Sequence, residues 1–356
     1  MNRRKFLKLA GTAAAASSLG INIVRAQESR SLRVGVYGGY FQDSFDEHIF
    51  PRFTEDTGIA VESIGVPTGE AWLVQLEAAA RANQAPADVS MMAQTPRLRG
   101  VNSGLWAALD ESAMPNLQYL REPFVQRDAE GQLVGVGALS WYVTLVTNTD
   151  VYPEAPESWA AFWDPANANS LGLLALPSNS FLLEITAATF FPGEDMFVSE
   201  ERITELLSTL QGLRDNVQLW YRDEGQFQQA LQSGEIPMGQ YYHDVTGIAA
   251  AEGFPVRSTF PQEGGVLDSG SWAVSRASDR LEEAQVFIDY MCQPEVQDLV
   301  ARRVGTAPSV EREFLGLDDA EFAEVSSDIS PILPHYPTYL ERSDWLDQRW
   351  LEMIIG

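Results

Sequence analysis

Apolar and polar residues alternate over Leu32-Arg33-Val34-Gly35-Val36-Tyr37, a period of two that predicts a strand ending at Gly38-Gly39. Through 43–57 the spacing changes. Phe45, Ile49, Phe50 and Phe53 recur at helical intervals, and Gly58 closes that helix. A second strand is predicted at 59–64, a helix at 69–83 ended by Asn83-Gln84-Ala85-Pro86, and a short buried strand at 88–92. The order β-α-β-α-β belongs to an open parallel sheet with helices on both faces.

The pattern then breaks. Residues 133–148 form one long β-rich run interrupted by Gly135 and Gly137, which predicts a strand leaving one domain and entering another. A second α/β run follows, with helices around 157–163, from Phe181, at 201–214 and at 225–232, and strands at 171–176 and 236–241. Residues 262–274 read as a return crossing, and helices follow at 279–291, 294–303 and 338–353. The expected fold class is therefore α/β with two hinged lobes. Residues 27–138 with about 272–305 make the first lobe, and 139–262 with about 306–356 the second. Hinge crossings are expected near 138–143 and 262–272. A cleft between lobes, at the carboxyl ends of strands, is where a small ligand sits.

Composition adds a destination. The chain opens Asn2-Arg3-Arg4-Lys5-Phe6-Leu7-Lys8, which resembles a twin-arginine export signal. The Ala- and Ser-rich stretch Leu9–Val24 is too short and too weakly apolar to hold a helix across a bilayer. Val24-Arg25-Ala26 puts small residues where a signal peptidase reads, so 1–26 are taken as a signal peptide. The cleaved protein is expected to be soluble, monomeric and free in the periplasm, since the only cysteine, Cys292, excludes both an internal disulfide and a lipid anchor.

Beyond residue 26 there are 19 arginines, no lysine and 50 acids, a formal charge of −31. Nucleic acid and anionic membrane are poor partners for such a field. The lysine-free surface fits either a salt-tolerant source or a genome rich in G and C.

Across about 300 residues the chain resembles the periplasmic solute-binding proteins of ABC importers, in the branch that includes the spermidine/putrescine-binding proteins. The carriers are Tyr37-Gly38-Gly39-Tyr40-Phe41-Gln42-Asp43, Phe53-Thr54-Glu55-Asp56-Thr57-Gly58-Ile59, Ala85-Pro86-Ala87-Asp88-Val89, Thr147-Asn148-Thr149-Asp150, Glu157-Ser158-Trp159 and Pro261-Gln262-Glu263-Gly264-Gly265, with the late helix from Ala284 to Pro294. The resemblance implies two lobes that close on a solute and hand it to an inner-membrane permease, with no catalysis and no cofactor. The residues agree with that absence of catalysis: HExxH, CxxC, GxSxG and P-loop patterns are missing, and of the three histidines only His243 has promising neighbours.

Six segments could hold a ligand. In Tyr37 to Asp43, Gly39 lets backbone approach, Gln42 is polar, and Asp43 is a candidate N-cap. Tyr37 and Tyr40 fall where polyamine-binding relatives place aromatics, whose faces attract alkylammonium groups; one of them could equally pack the core. Gln94 can donate and accept. Trp141 and Tyr142 lie on the crossing strand, whereas Trp159 and Trp163 read as core. Asn179-Ser180-Phe181 opens a helix where the relatives carry two carboxylates; Asn179 and Leu182 stand in their places, and Glu184 lies about 200° too far round. Tyr241 is expected to stack on ligand, with Asp244 as a nearby carboxylate, and alternation is expected to bury Tyr242. As an alternative, Tyr241, Tyr242 and His243 resemble the clamp of ferric-ion-binding relatives. In the return strand, Asp268 and Gly270 stand where the resemblance places an aromatic and then an aspartate, so a carboxylate keeps its face but moves about 6–7 Å, with Ser269 between them as a further candidate. The favoured ligand is a polyamine-like organic cation; a ferric ion and a neutral or zwitterionic metabolite are the alternatives.

Overall fold

The computed structural model describes residues 30–67 and 69–355. The signal segment 1–26 lies outside them.

Ten strands form one continuous mixed sheet: β1 Ser31–Tyr37, β2 Ala60–Val66, β3 Val89–Ala93, β4 Val125–Arg127, β5 Leu133–Asn148, β6 Leu171–Leu174, β7 Val217–Tyr221, β8 Met238–Tyr242, β9 Val256–Thr259 and β10 Val266–Val274. The order is β2-β1-β3-β10-β5-β8-β6-β7, with β4 and β9 added on β5. β1, β2 and β3 are parallel, as are β6, β7 and β8. β5 and β10 run antiparallel to each other and tie the two parallel sets together, β10 to β3 and β5 to β8. The long run 133–148 is thus a single strand serving both halves. Its register with β10 slips by a bulge between Gly270 and Ser271, which bends a strand at the crossover.

Buried side chains gather in three clusters. The first holds Leu32–Leu139, Tyr142 and Trp272–Val304 residues, with Ala307 and Val310. The second runs from Val143 through Leu171, Leu206 and Val266 to Tyr339 and Trp350. The third is a smaller patch around Tyr221, Phe227 and Tyr241.

The chain also passes between the halves after the second crossing strand. Ala307 exchanges two backbone hydrogen bonds with Ser140, and Ile332 pairs alongside Gly265–Leu267. Residues 307–316 stay with the first cluster, through Val310 and the Gly316 amide on Asp298, so the return to the second half comes later than residue 306.

Local chemistry accounts for most departures from the expected elements. The helix expected over 43–57 is two, Tyr40–His48 and Phe50–Thr57, because Pro51 removes an amide donor near the start of the second. Asp43 is not the N-cap; Gly39 is, at φ 74°, and Asp43 lies exposed in the first turn. Residues 159–163 form a 3-10 turn rather than an α-helix, with Trp159 buried as expected and its Nε1 donating to Gly264 O. Phe181 does not start a helix but adopts a left-handed conformation between Pro177–Ser180 and Leu182–Phe190. The helices Gln94–Asn102 and His243–Ala251, and the strands β7 and β9, carry no clear periodicity of their own.

The candidate ligand cleft

The carboxyl ends of β1, β3, β6 and β8 all point to the place where β5 and β10 cross. Antiparallel pairing sets Asp268 directly opposite Trp141, so the two side chains share one face. Tyr142, one residue on, pairs with Leu267 and points the other way. It is buried, its ring 4.9 Å from Phe260, which corrects the expectation that both Trp141 and Tyr142 meet ligand.

Asp268 is the centre of the site. Its Oδ1 accepts from Tyr336 OH at 2.6 Å and from the Ser269 amide at 2.7 Å. Both bonds end on one oxygen, which leaves Oδ2 for the cleft. Burial pushes its carboxyl up to about 6, against the two donors that hold it down. Its negative charge in turn helps burial raise the phenols of Tyr37, Tyr242 and Tyr336. A cavity of about 380 Å³ opens here, lined from both halves of the sheet by Gln94, Pro177, Asn179, Asp268 and Tyr336. That volume suits a small metabolite.

Around it the expected residues divide. Tyr37 is buried and its hydroxyl has no partner. Asn179 borders the cavity with Oδ1 buried and unpartnered. Asp244 lies in the first turn of its helix, Oδ1 likewise unpartnered, and burial pushes it up to about 6. Of the three, Asn179 lines the cavity itself.

Others are committed elsewhere. Tyr40 is exposed and its hydroxyl donates to Val304 O, linking two helices. Gln42 donates to Ser63 Oγ. Gln94 spends both ends internally: Nε2 donates to Ser269 Oγ (2.9 Å) and Ser271 Oγ (2.7 Å), and Oε1 accepts from Arg97 and Gln126. Ser269 is thereby a structural partner of Gln94. Ser180 is fully buried, its carbonyl accepting from Gln240. Phe181 is not among these: it packs in the second cluster and also lines the cavity.

The tyrosine pair is reversed from expectation. Tyr241 packs in the third cluster, its ring 5.6 Å from Phe227. Tyr242 is the half-buried member, donating to Glu224 Oε1 at 2.9 Å and lying close enough to Asp268 for that charge to act on it. Alternation holds, but the strand's phase is set by its partner β5, which the sequence does not show. The three residues of the ferric alternative do not converge. Both ring nitrogens of His243 are taken, by Ser258 Oγ and Ala323 O, and Tyr241 OH turns to Glu224 O.

The sequence reading missed Tyr336, which lines the cavity, and Glu224, which accepts from Tyr242. Tyr336 sits in a Pro-rich stretch with no periodicity, and only the passage of 330–336 along β10 brings it to Asp268. Among the described residues, no helix is long and apolar enough to cross a membrane.

Comparison with known proteins bears on this geometry. Residues 49–321 match the profile of the bacterial extracellular solute-binding protein family. A gamma-aminobutyric acid-binding protein of Pseudomonas aeruginosa is 24% identical over 330 residues, covering 91% of this chain and 88% of that one. A spermidine/putrescine-binding periplasmic protein of Salmonella typhimurium is 22% identical over 299 residues, 82% and 81% of the two chains. Among solved structures, an ABC transporter substrate-binding protein from Bradyrhizobium japonicum superposes with TM-score 0.75 at 21% identity, covering 91% and 99%. A spermidine/putrescine ABC transporter substrate-binding protein from Streptococcus pneumoniae superposes with TM-score 0.69 at 17% identity, covering 91% and 100%.

Proposed function

The chain belongs to the bacterial extracellular solute-binding protein family, the substrate-binding components of ABC transporters, and from that premise we propose that it captures a small amine-bearing solute at Asp268 and delivers it to a permease. The observation that carries this reading is the Asp268 carboxylate: held in place through one oxygen by Tyr336 and Ser269, it borders a cavity lined also by Asn179, Phe181 and Tyr336. A buried carboxylate without a cation is costly. An ammonium there supplies the missing charge, and aromatic faces beside it add cation–π attraction of about 0.5–2 kcal/mol each. Asp244 and Glu224, next to Tyr242, extend the acidic surface. The relatives' names point the same way, since gamma-aminobutyric acid, spermidine and putrescine all carry amines.

In this reading the protein is exported to the periplasm, acts as a monomer and catalyses nothing. The first half, 27–138 with 272 to about 316, and the second, 139–262 with the C-terminal segment that joins the second cluster at Ile332, close about the crossings near 138–143 and 262–272. Closure joins Tyr37 to Asn179 and Tyr242 around one ligand, and the permease reads the closed form. A thermal-shift screen across amines, amino acids, sugars and Fe³⁺ tests it, because a bound ligand raises the midpoint by mass action. Amines should shift the midpoint. A shift with sugars or Fe³⁺ and none with amines would defeat the reading.

A further inference from the structure

Asp268 meets the ligand cleft from one face of β10. Its neighbours Leu267 and Ser269 point to the opposite face, and there they line a second cavity, of about 280 Å³. Arg97, on the helix Gln94–Asn102, also lines it and is its one charged residue. Arg97 is 4% exposed. Among the described residues, the guanidinium makes a single hydrogen bond, from Nε to the neutral Gln94 Oε1 at 3.0 Å, and that oxygen also accepts from Gln126 Nε2. Nη1 is buried against Gln126 and Gly135 without a partner. Other arginines meet acids, as Arg33 meets Asp88 and Arg302 meets Glu321, but no ion pair of the described residues includes Arg97. Burying a charge is tolerated when a counter-charge and further hydrogen bonds meet it, and here the counter-charge is missing. Burial pushes the guanidinium down to about 10, so it stays charged at neutral pH.

The rest of the wall is largely apolar. Phe124 and Leu267 belong to the first core cluster, while Leu333, Pro334 and Pro337 come from the C-terminal segment that returns to the second. An occupant therefore touches both halves of the molecule. Such a wall suits a group with one negative charge and an apolar body. A phosphate or sulfate would bring further polar oxygens that the leucines and prolines leave unmet. A carboxylate is planar, takes the N–H donors that Gln94 does not use, and leaves its alkyl chain to the apolar side.

We propose that this cavity is a second ligand site, for a short aliphatic monocarboxylate whose charge Arg97 meets, separate from the cleft at Asp268. Asp268 takes no part in it, so the site stands or falls apart from the amine reading. Calorimetry on the full chain compares butyrate and hexanoate with butanol and hexanol, which carry the same tails without the charge. The carboxylates should bind at one site, at least about tenfold tighter than the alcohols, as one charge-assisted hydrogen bond gives. Arg97→Gln should weaken them by about 10–100-fold, with Arg97→Lys in between. Leu333→Trp fills the apolar side, leaves the bond from Arg97 to Gln94 in place, and should weaken hexanoate more than butyrate. Asp268→Asn should leave both carboxylates within about twofold of wild type, as for distant independent sites. Absence of carboxylate binding at about 10 mM overturns the proposal, and so do alcohols that bind as tightly as the acids. An Arg97→Gln protein that is folded by circular dichroism and keeps its affinity for the acids overturns it as well. If Arg97→Gln does not fold, the alcohol comparison and Leu333→Trp decide, and unchanged hexanoate affinity in Leu333→Trp counts against the site. Loss of carboxylate binding in Asp268→Asn would place the acids in the cleft instead and end the proposal.

Discussion

Asp268 and Glu184 show how the same side chain takes different work from its neighbours. Asp268 faces a cavity, so its removal should be felt by ligand. Asp268→Asn is expected to weaken amine binding by about 1.5–3 kcal/mol, the worth of a charge-assisted hydrogen bond, and Tyr336→Phe by about 1 kcal/mol through loss of the bond that aims it. Titration calorimetry reads both; equal affinity in wild type and Asp268→Asn would move the amine elsewhere. Glu184 is 3% exposed and faces only protein: Oε1 accepts from the His335 amide and Oε2 from Tyr339 OH. Burial pushes its carboxyl up to about 7 against those donors. The folded protein therefore holds this proton more tightly than the unfolded chain, whose value lies near the ordinary 4.5. Its contribution to stability is full below about pH 4.5 and is lost as pH rises to about 7. Relative to wild type, Glu184→Gln should gain stability between pH 5 and pH 8, by up to about 3 kcal/mol. Thermal melts across that range show it as a pH-dependent difference, and a constant difference would place the proton on another group. Sequence spacing puts Glu184 off the ligand face, but its partners come from residues 335–339, about 150 positions away, and no local pattern announces them.

At the scale of elements, the strands of the first half form where the pattern predicts them, although β1 and β3 are buried on both faces over most of their length, and the long strand 133–148 has the bounds its β-rich run predicts. Helix breaks at Pro51 and Gly58 are equally local. What fails is phase. Tyr241 and Tyr242 alternate as any strand must, yet which one meets the cleft depends on the pairing of β8 with β5. The segment 330–336 depends on a glycine for its path. Gly264 has φ 101°, and a Cβ there would stand 2.2 Å from Ser330 O. Gly264→Ala should cost about 2 kcal/mol or more, from backbone strain and the clash together. It should also loosen amine binding, because Tyr336 rides on that segment. Urea unfolding measures the first effect, and a midpoint equal to wild type would show that the segment can move aside.

The whole molecule is two parallel strand sets joined through β5 and β10, with the C-terminal segment running alongside at Ala307 and Ile332. Unpartnered polar atoms on Tyr37, Asn179 and Asp244 come from both sides of that junction, which suits halves that part to admit ligand and close on it. Small-angle scattering with a saturating amine should show a smaller radius of gyration than the free protein. An unchanged radius with a tightly bound ligand would remove closure from the account.

By itself the sequence determined the class of the molecule: two runs of β and α elements joined by a long crossing strand, an acidic lysine-free body, and Asp268 on the face it occupies. These depend on local periodicity and composition, which neighbours in the chain decide. The tertiary structure alone decided which polar atoms remain unpaired. Gln94 is consumed by Ser269 and Ser271, Tyr241 by the third cluster, and Ser180 by Gln240, while Tyr336 arrives at the site from a segment without a motif. Satisfaction of a hydrogen bond is a property of pairs brought together by long-range packing, so a residue type can suggest a role but only its partners settle whether it is free to perform it.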